Sequence, residues 1–403
     1  MTLPKHKKVT WAELFFDLVY VYIFSQISHI IHSSADMQDP VKLMVVFTAF
    51  VSVISVWTNQ TVFTNLYGRP TIKAMLAHII IMPMLLVYIK SITYHFEQEY
   101  QKITVFLGFI FLIQLLQYVY VKIKLKILFK TSRFLKKFIV AHMILISILW
   151  FNAASPFLAS YITILVVLTI GALTWTLLIF DKRFKLNTEH ITERFGLIVI
   201  ISFGEAIILL AQTENGFDLA KFDWYWLLIF INIASLFIFY VSQTDFSLNK
   251  ETYERKQIFI IYLNFMVLLG VQFLYITRHF IPFYNSENLA YQIGNNNLYY
   301  NLLMSIALAL FYLGSMLHSL VIATKIPYNR RWIVPTIISI SYLLAVVLGF
   351  TLRDIYKSPI IWSSLTSIST LFLMLYGVFI GGYFKKAWQN WKALVEYYQH
   401  KHD

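Results

Sequence analysis

The sequence predicts an all-α fold, a polytopic transmembrane bundle of about twelve helices, and three observations carry that reading. Of 403 residues, 59% are apolar and only 13% are charged, with a mean hydropathy of +0.66. A soluble domain carries about 25% charged residues. Apolar runs of about 20 residues, the length that crosses a hydrocarbon core of about 30 Å, recur from end to end. The loops between them alternate in charge, as the loops of a multi-pass protein do.

The expected spans lie near 14–32, 41–62, 73–92, 103–121, 137–152, 157–179, 194–211, 224–243, 257–277, 299–322, 332–352 and 360–384. The N-terminus imitates a secretion signal: a basic Pro4–Lys8 stretch, an apolar run, then Ser33-Ser34-Ala35. That run is too long for a signal core and carries Asp17 and Gln26, so it reads as a first spanning helix. The expected cytoplasmic side collects 26 of the 33 basic residues: the N-terminus, the loops near 69, 122–137, 182–194, 250–256 and 325–331, and the C-terminal tail. The opposite side is sparse and acidic, with Asp36, Asp39, Glu97, Glu99, Glu214, Asp218, Asp223 and Glu287. By the positive-inside rule both termini are expected to be cytoplasmic.

The formal charge of +13 is explained by these loops, so nucleic acid is not expected as a partner. Membrane lipids are. The loop Lys122–Lys137 is an orientation determinant that can also rest on anionic headgroups. The tail from Lys385 to His402 alternates Trp, Lys and Tyr and looks interfacial. Zero cysteines exclude disulfides and thiolate metal sites. No P-loop, HExxH, GxSxG or Gly-rich dinucleotide turn is present, and the eleven His residues are scattered. No cofactor and no metal site are expected.

The loop after the sixth span divides the chain into halves, 1–180 and 181–403, the second with a cytoplasmic tail. Short echoes cross this divide. Thr10-Trp-Ala-Glu13-Leu-Phe15 resembles Ile191-Thr-Glu193-Arg-Phe195, and Gln60-Thr-Val-Phe63 resembles Gln243-Thr-Asp-Phe246. Six spans per half entering from one side would be a parallel duplication; chance similarity is the alternative.

Polar groups inside the apolar runs are the candidate site. Glu205 lies eleven residues beyond Arg194, about 16 Å along a helix. That puts it near mid-membrane, on one stripe with Arg194, Ile198, Ser202 and Leu209. A carboxylate there is costly and by default functional; the alternative is a neutral acid bonded to a neighbouring helix. Asp17 and Glu13 share a face of the first span. Glu13 suits a helix start, where the dipole favours an acid. Asp17 is a turn deeper; it is either the same helix-start acid with access to water or a buried partner for a cation, Arg194 or Arg69. Glu205 and Asp17 form the expected ion or proton site. Glu13, Arg69, His190, Glu193 and Arg194 form an expected charge network at the cytoplasmic boundary. His78, Gln60, Gln243, Asn264 and His318, with Gln114, Gln117 and Gln272, either line a cavity or act as interhelical hydrogen-bond glue. Gly196 and Gly204 read as close-packing positions.

At these residues the chain resembles the bacterial low temperature requirement protein A (LtrA) family. The marks are Trp11, Glu13, Leu14, Phe15, Phe16, Asp17, Leu18 and Val19, then His190, Glu193, Arg194, Phe195, Gly196, Leu197, Gly204 and Glu205. Arg69 after the aromatic-rich Trp57–Tyr67 stretch adds to the likeness. The resemblance implies a multi-pass protein of the bacterial inner (plasma) membrane, linked by name to growth in the cold, and it supplies no substrate. One departure is Tyr262-Leu263-Asn264, where family members commonly show Tyr-Leu-His.

Three functional readings stay open. The leading one is a proton- or cation-linked transporter or channel using Glu205, which makes the chain more a carrier than an enzyme. The second is a membrane-embedded enzyme acting on a lipid or isoprenoid phosphate, with Glu13, Asp17, Glu193 and His190 at the interface. The third is a non-catalytic sensor or scaffold. Oligomerisation is compatible with all three.

Overall fold

The computed structural model describes residues 9–32, 40–67, 72–124, 132–154, 186–211, 224–245, 257–279, 306–315 and 317–318. All the regular structure among them is helical. The helices are α1 (Trp11–His32), α2 (Pro40–Tyr67), α3 (Ile72–Lys124), α4 (Ser132–Ala154), α5 (Thr188–Ala211), α6 (Trp224–Asp245) and α7 (Gln257–His279), with a shorter apolar helix α8 at Ile306–Ser315. The expected spans at 157–179, 332–352 and 360–384 lie outside the described residues, as does Arg69.

Four helical stretches are long and apolar enough to cross a membrane: Leu43–Tyr67, Met75–Ile92, Gln101–Lys124 and Leu135–Ala154. The sidedness of α1 and α5 argues the same way. On α1 the carboxylate of Asp17 is buried at 2% exposure while its neighbour Leu18 is 60% exposed, and Phe15 and Tyr22 also face outward. On α5 Arg194, Ser202 and Glu205 are buried while Ile200, Ile207 and Ile208 are exposed. Acids inside and branched apolar side chains outside invert the order that water imposes. Lipid is the solvent that rewards it. The chain is a helical membrane protein.

The chain packs as two compact units, one of Met1–Glu205 with Tyr253–Tyr262 and one of Ala206–Thr252 with Leu263–Asp403. The first holds α1 to α4 and most of α5. In it α2 runs antiparallel to α1: the Tyr20 hydroxyl donates to the Val53 carbonyl at 2.9 Å, and Phe24 stacks on Phe50.

Helix α3 has 53 residues, which as a straight rod would be about 80 Å long. It cannot be straight. The Gln60 amide of α2 lies 3.4 Å from His78 Nε2 and 3.3 Å from Gln117 Oε1. Those two α3 residues would stand about 58 Å apart on a straight helix. The helix therefore doubles back, and level pairing places the reversal midway, near residue 97. That is the polar Ser91–Lys102 stretch between the two apolar segments. The first arm is antiparallel to α2, since Tyr88 donates to Ser52 while His78 meets Gln60. The second arm is parallel to it, since Gln114 donates to the Val56 carbonyl and Tyr118 to the Asn59 carbonyl. The two expected spans 73–92 and 103–121 are these two arms.

Helix α4 returns antiparallel to the second arm. Trp150 donates to the Val105 carbonyl at 3.3 Å, and Tyr118 packs on Phe138 at 4.2 Å between ring centroids. Gly108 is required there, because a Cβ would collide with the Trp150 indole. In the second unit α6 meets α7 through Tyr240, whose hydroxyl donates to Asn264 Oδ1 at 3.1 Å. Helix α8 crosses α7 backbone to backbone: a Cβ on Gly270 would lie 2.6 Å from the Phe311 nitrogen.

The fold of α3 is open to a direct check. The chain has no cysteine, so introduced pairs report cleanly. Gln60→Cys is expected to cross-link with His78→Cys and, in a separate variant, with Gln117→Cys, both in membranes under mild oxidation. A straight α3 would allow only one of the two.

Candidate functional site

The site begins with the starts of two helices. Thr10 precedes α1, and its backbone nitrogen and hydroxyl donate to Glu13 Oε2 at 2.8 and 2.9 Å. The Glu13 nitrogen approaches Thr10 Oγ1 at 3.4 Å in return. This reciprocal capping box satisfies donors that a helix start leaves open. Asn187 does the same for α5, its Oδ1 accepting from the His190 nitrogen at 3.2 Å.

Each helix then presents an i, i+4 pair on one face: Glu13 and Asp17 on α1, His190 and Arg194 on α5. The pairs meet in register. His190 Nε2 lies 3.2 Å from Glu13 Oε1, and Arg194 Nη1 lies 3.5 Å from the same oxygen. Arg194 Nη2 donates to Asp17 Oδ1 at 2.7 Å. Like order on both helices means that α1 and α5 run in the same direction. From α2, the Trp57 indole donates to Asp17 Oδ1 at 2.7 Å. The Arg194 guanidinium lies 5.5 Å from the centroid of the Trp57 ring. Phe195 closes the cluster edge-on to Trp57 at 4.9 Å. Glu13, Asp17, His190 and Arg194 are all buried.

Asn65 of α2 sets the His190 tautomer. Its Oδ1 accepts from the Asn187 nitrogen at 2.9 Å, which fixes the orientation of the amide. Its Nδ2 then donates to the Asn187 carbonyl at 2.9 Å and faces His190 Nδ1 at 3.1 Å. A donor facing Nδ1 makes that nitrogen the acceptor, so the ring proton sits on Nε2, toward Glu13. One guanidinium here faces the carboxyl groups of both Glu13 and Asp17. Two parallel helix starts add positive partial charge at the same level, about half an elementary charge each.

Glu205 stands apart. It is buried on α5, about 16 Å beyond Arg194 along the helix axis. The hydroxyl of Ser25 on α1 lies alongside its carboxyl, yet neither carboxylate oxygen forms a well-shaped hydrogen bond, nor does Ser202 Oγ one turn earlier. Ile198, Ser202 and Leu209 of the same stripe are buried with it. A Cβ on Gly196 or Gly204 would meet nothing within 4 Å. Close helix packing is therefore not what these glycines serve among the described residues.

The other expected site residues fall elsewhere. Glu193 is exposed, one step around the helix from Arg194. Gln60 and His78 pair with each other, and Gln60 with Gln117, as interhelical hydrogen bonds. Asn264 is the acceptor of Tyr240. His318 is buried in the second unit, and neither ring nitrogen has a hydrogen-bond partner among the described residues. The Gln243 side chain and all of Arg69 lie outside the described residues. Sequence reasoning missed Asn65, Asn187 and Thr10, and also Asn59, which faces His142 Nε2 at 3.3 Å. Two signals were available: the Thr10-x-x-Glu13 spacing and an Asn at a helix start.

A helical membrane protein with a buried carboxylate–guanidinium cluster at one helix end and a lone carboxylate deep between helices is the class that fold and site define. The family model of the bacterial low temperature requirement A protein (LtrA) matches residues 8–375. The chain belongs to that family. Comparison with curated proteins and with solved structures gives no match.

The cluster makes a stability prediction. Arg194→Ala leaves two buried carboxylates without their cation and is expected to cost about 3–5 kcal/mol. Asp17→Asn combined with Arg194→Gln removes both charges and is expected to recover much of that loss. Asn65→Ala is expected to cost about 1–3 kcal/mol by stranding buried partners. Thermal unfolding of the purified proteins in detergent, read by size-exclusion fluorescence, checks all three.

Proposed function

We propose that this protein is a proton- or cation-linked transporter or channel of the bacterial cytoplasmic membrane, with Glu205 as the working group. The observation that carries the reading is the contrast between the acids. Glu13 and Asp17 are engaged by capping, by Arg194 and by Trp57, which suits them to anchoring. Glu205 is equally buried and has no cation, among the described residues, to hold it. A buried carboxylate without a partner is costly, and a moving ion or proton is the reason such groups persist in membranes.

The rest of the reading follows from charge and topology. Twelve spans with both termini cytoplasmic fit the loop charges. The parallel course of α1 and α5 fits spans that enter from one side, which a duplication of six-helix halves requires. The Glu13–Asp17–His190–Arg194 cluster then lies at the cytoplasmic end and fixes α1 against α5. The lipid-enzyme reading is less well supported, because the groups it needs at the interface are internally paired and Glu193 is turned away from them.

Flux in reconstituted liposomes tests the proposal. Wild-type protein is expected to dissipate an imposed proton, K⁺ or Na⁺ gradient. Glu205→Gln is expected to abolish that flux while folding normally. Wild-type flux in Glu205→Gln, or no flux in wild type under any gradient, would sink it.

A further inference from the structure

Two to three turns beyond Arg194 on α5, three buried oxygens lack a well-shaped hydrogen bond. Two belong to the Glu205 carboxyl and one to Ser202, three residues earlier on the same face of α5. Ser25 of α1 brings a fourth oxygen alongside. The surroundings on the two helices are apolar, with Phe24, Ile27, Ile198 and Leu209 all buried.

We infer that Glu205, Ser202 and Ser25 form a site for one hard, singly charged cation, a proton or Na⁺. The inference rests on the transport reading and narrows it. Oxygen-only donors select hard cations over thiophilic or imidazole-seeking metals. Charge then sets the valence. The one carboxylate neutralises one positive charge, and the described residues add no second acid at this level. A divalent ion would keep a net charge in an apolar setting, where charges are poorly tolerated. An anion would face the carboxylate directly. The hydroxyls separate the two permitted ions. Na⁺ needs Ser202 and Ser25 as ligands, whereas a proton binds the carboxyl itself and uses them only as hydrogen-bond partners.

The test uses the full chain in liposomes, with separate gradients of protons, Na⁺, Ca²⁺ and chloride. Proton or Na⁺ flux is expected to fall about tenfold or more in Glu205→Gln. Ser202→Ala is expected to remove Na⁺ flux if Na⁺ is the ion, and to shift the pH dependence of flux if the proton is; flux unchanged in both amount and pH dependence overturns the place of Ser202 in the site. Glu205-dependent Ca²⁺ or chloride flux overturns the inference and leaves the transport reading standing. Absence of every flux overturns the transport reading instead. The site is then judged by infrared difference spectra of wild type against Glu205→Gln. A carboxyl band that responds to Na⁺ or to pH supports it, and a Glu205 band unmoved by either overturns it.

Discussion

The contact on which the first unit depends is the one between Arg194 and Asp17. A guanidinium with no exposure to solvent can stay charged only where acids meet it. The 2.7 Å bond to Asp17, the 3.5 Å approach to Glu13 and the Trp57 ring beside it supply that environment. Because Arg194 is on α5 and the groups around it are on α1 and α2, satisfying one charge fixes three helices. The parallel course of α1 and α5 is a consequence, and so is the position of Glu205 beside α1.

Electrostatics at this cluster work through backbone as well as side chains. Two helix starts at one level would repel one another, positive end against positive end. The two acids relieve that repulsion, and the capping of both starts by Thr10 and Asn187 leaves few donors exposed. The Asn65 amide completes the arrangement by directing the His190 proton toward Glu13. The cluster thus holds its two acids against a cation, while at the deep end of the same helix pair the described residues place none beside Glu205. Glu205 has Ser25 nearby and, among the described residues, nothing charged.

Much of this was readable in the sequence, and the unread part has a common cause. Apolar runs and loop charges are local, so the helices and the two arms of α3 were visible without tertiary knowledge. So were the i, i+4 pairs Glu13/Asp17 and His190/Arg194, which are features of single helices. Choosing Arg194 over Arg69 as partner of Asp17 needed the packing of α1 on α5. Glu193 is one residue from Arg194, and a 100° step was enough to take it off the buried face. Asn65 acts through contacts more than 120 positions away in sequence, and no local pattern marks it. The glycines of α5 misled because spacing cannot tell a close contact from open space.

The most direct measurement of the account is the register of α1 against α5 at its deep end. Ser25→Cys and Glu205→Cys would be combined in this cysteine-free chain and treated with a short thiol cross-linker in native membranes. The parallel arrangement predicts an intramolecular cross-link for that pair and none for Glu13→Cys with Glu205→Cys. A cross-link only in the second pair would place the helices antiparallel, and would remove both the charge cluster and the Glu205 site from the account.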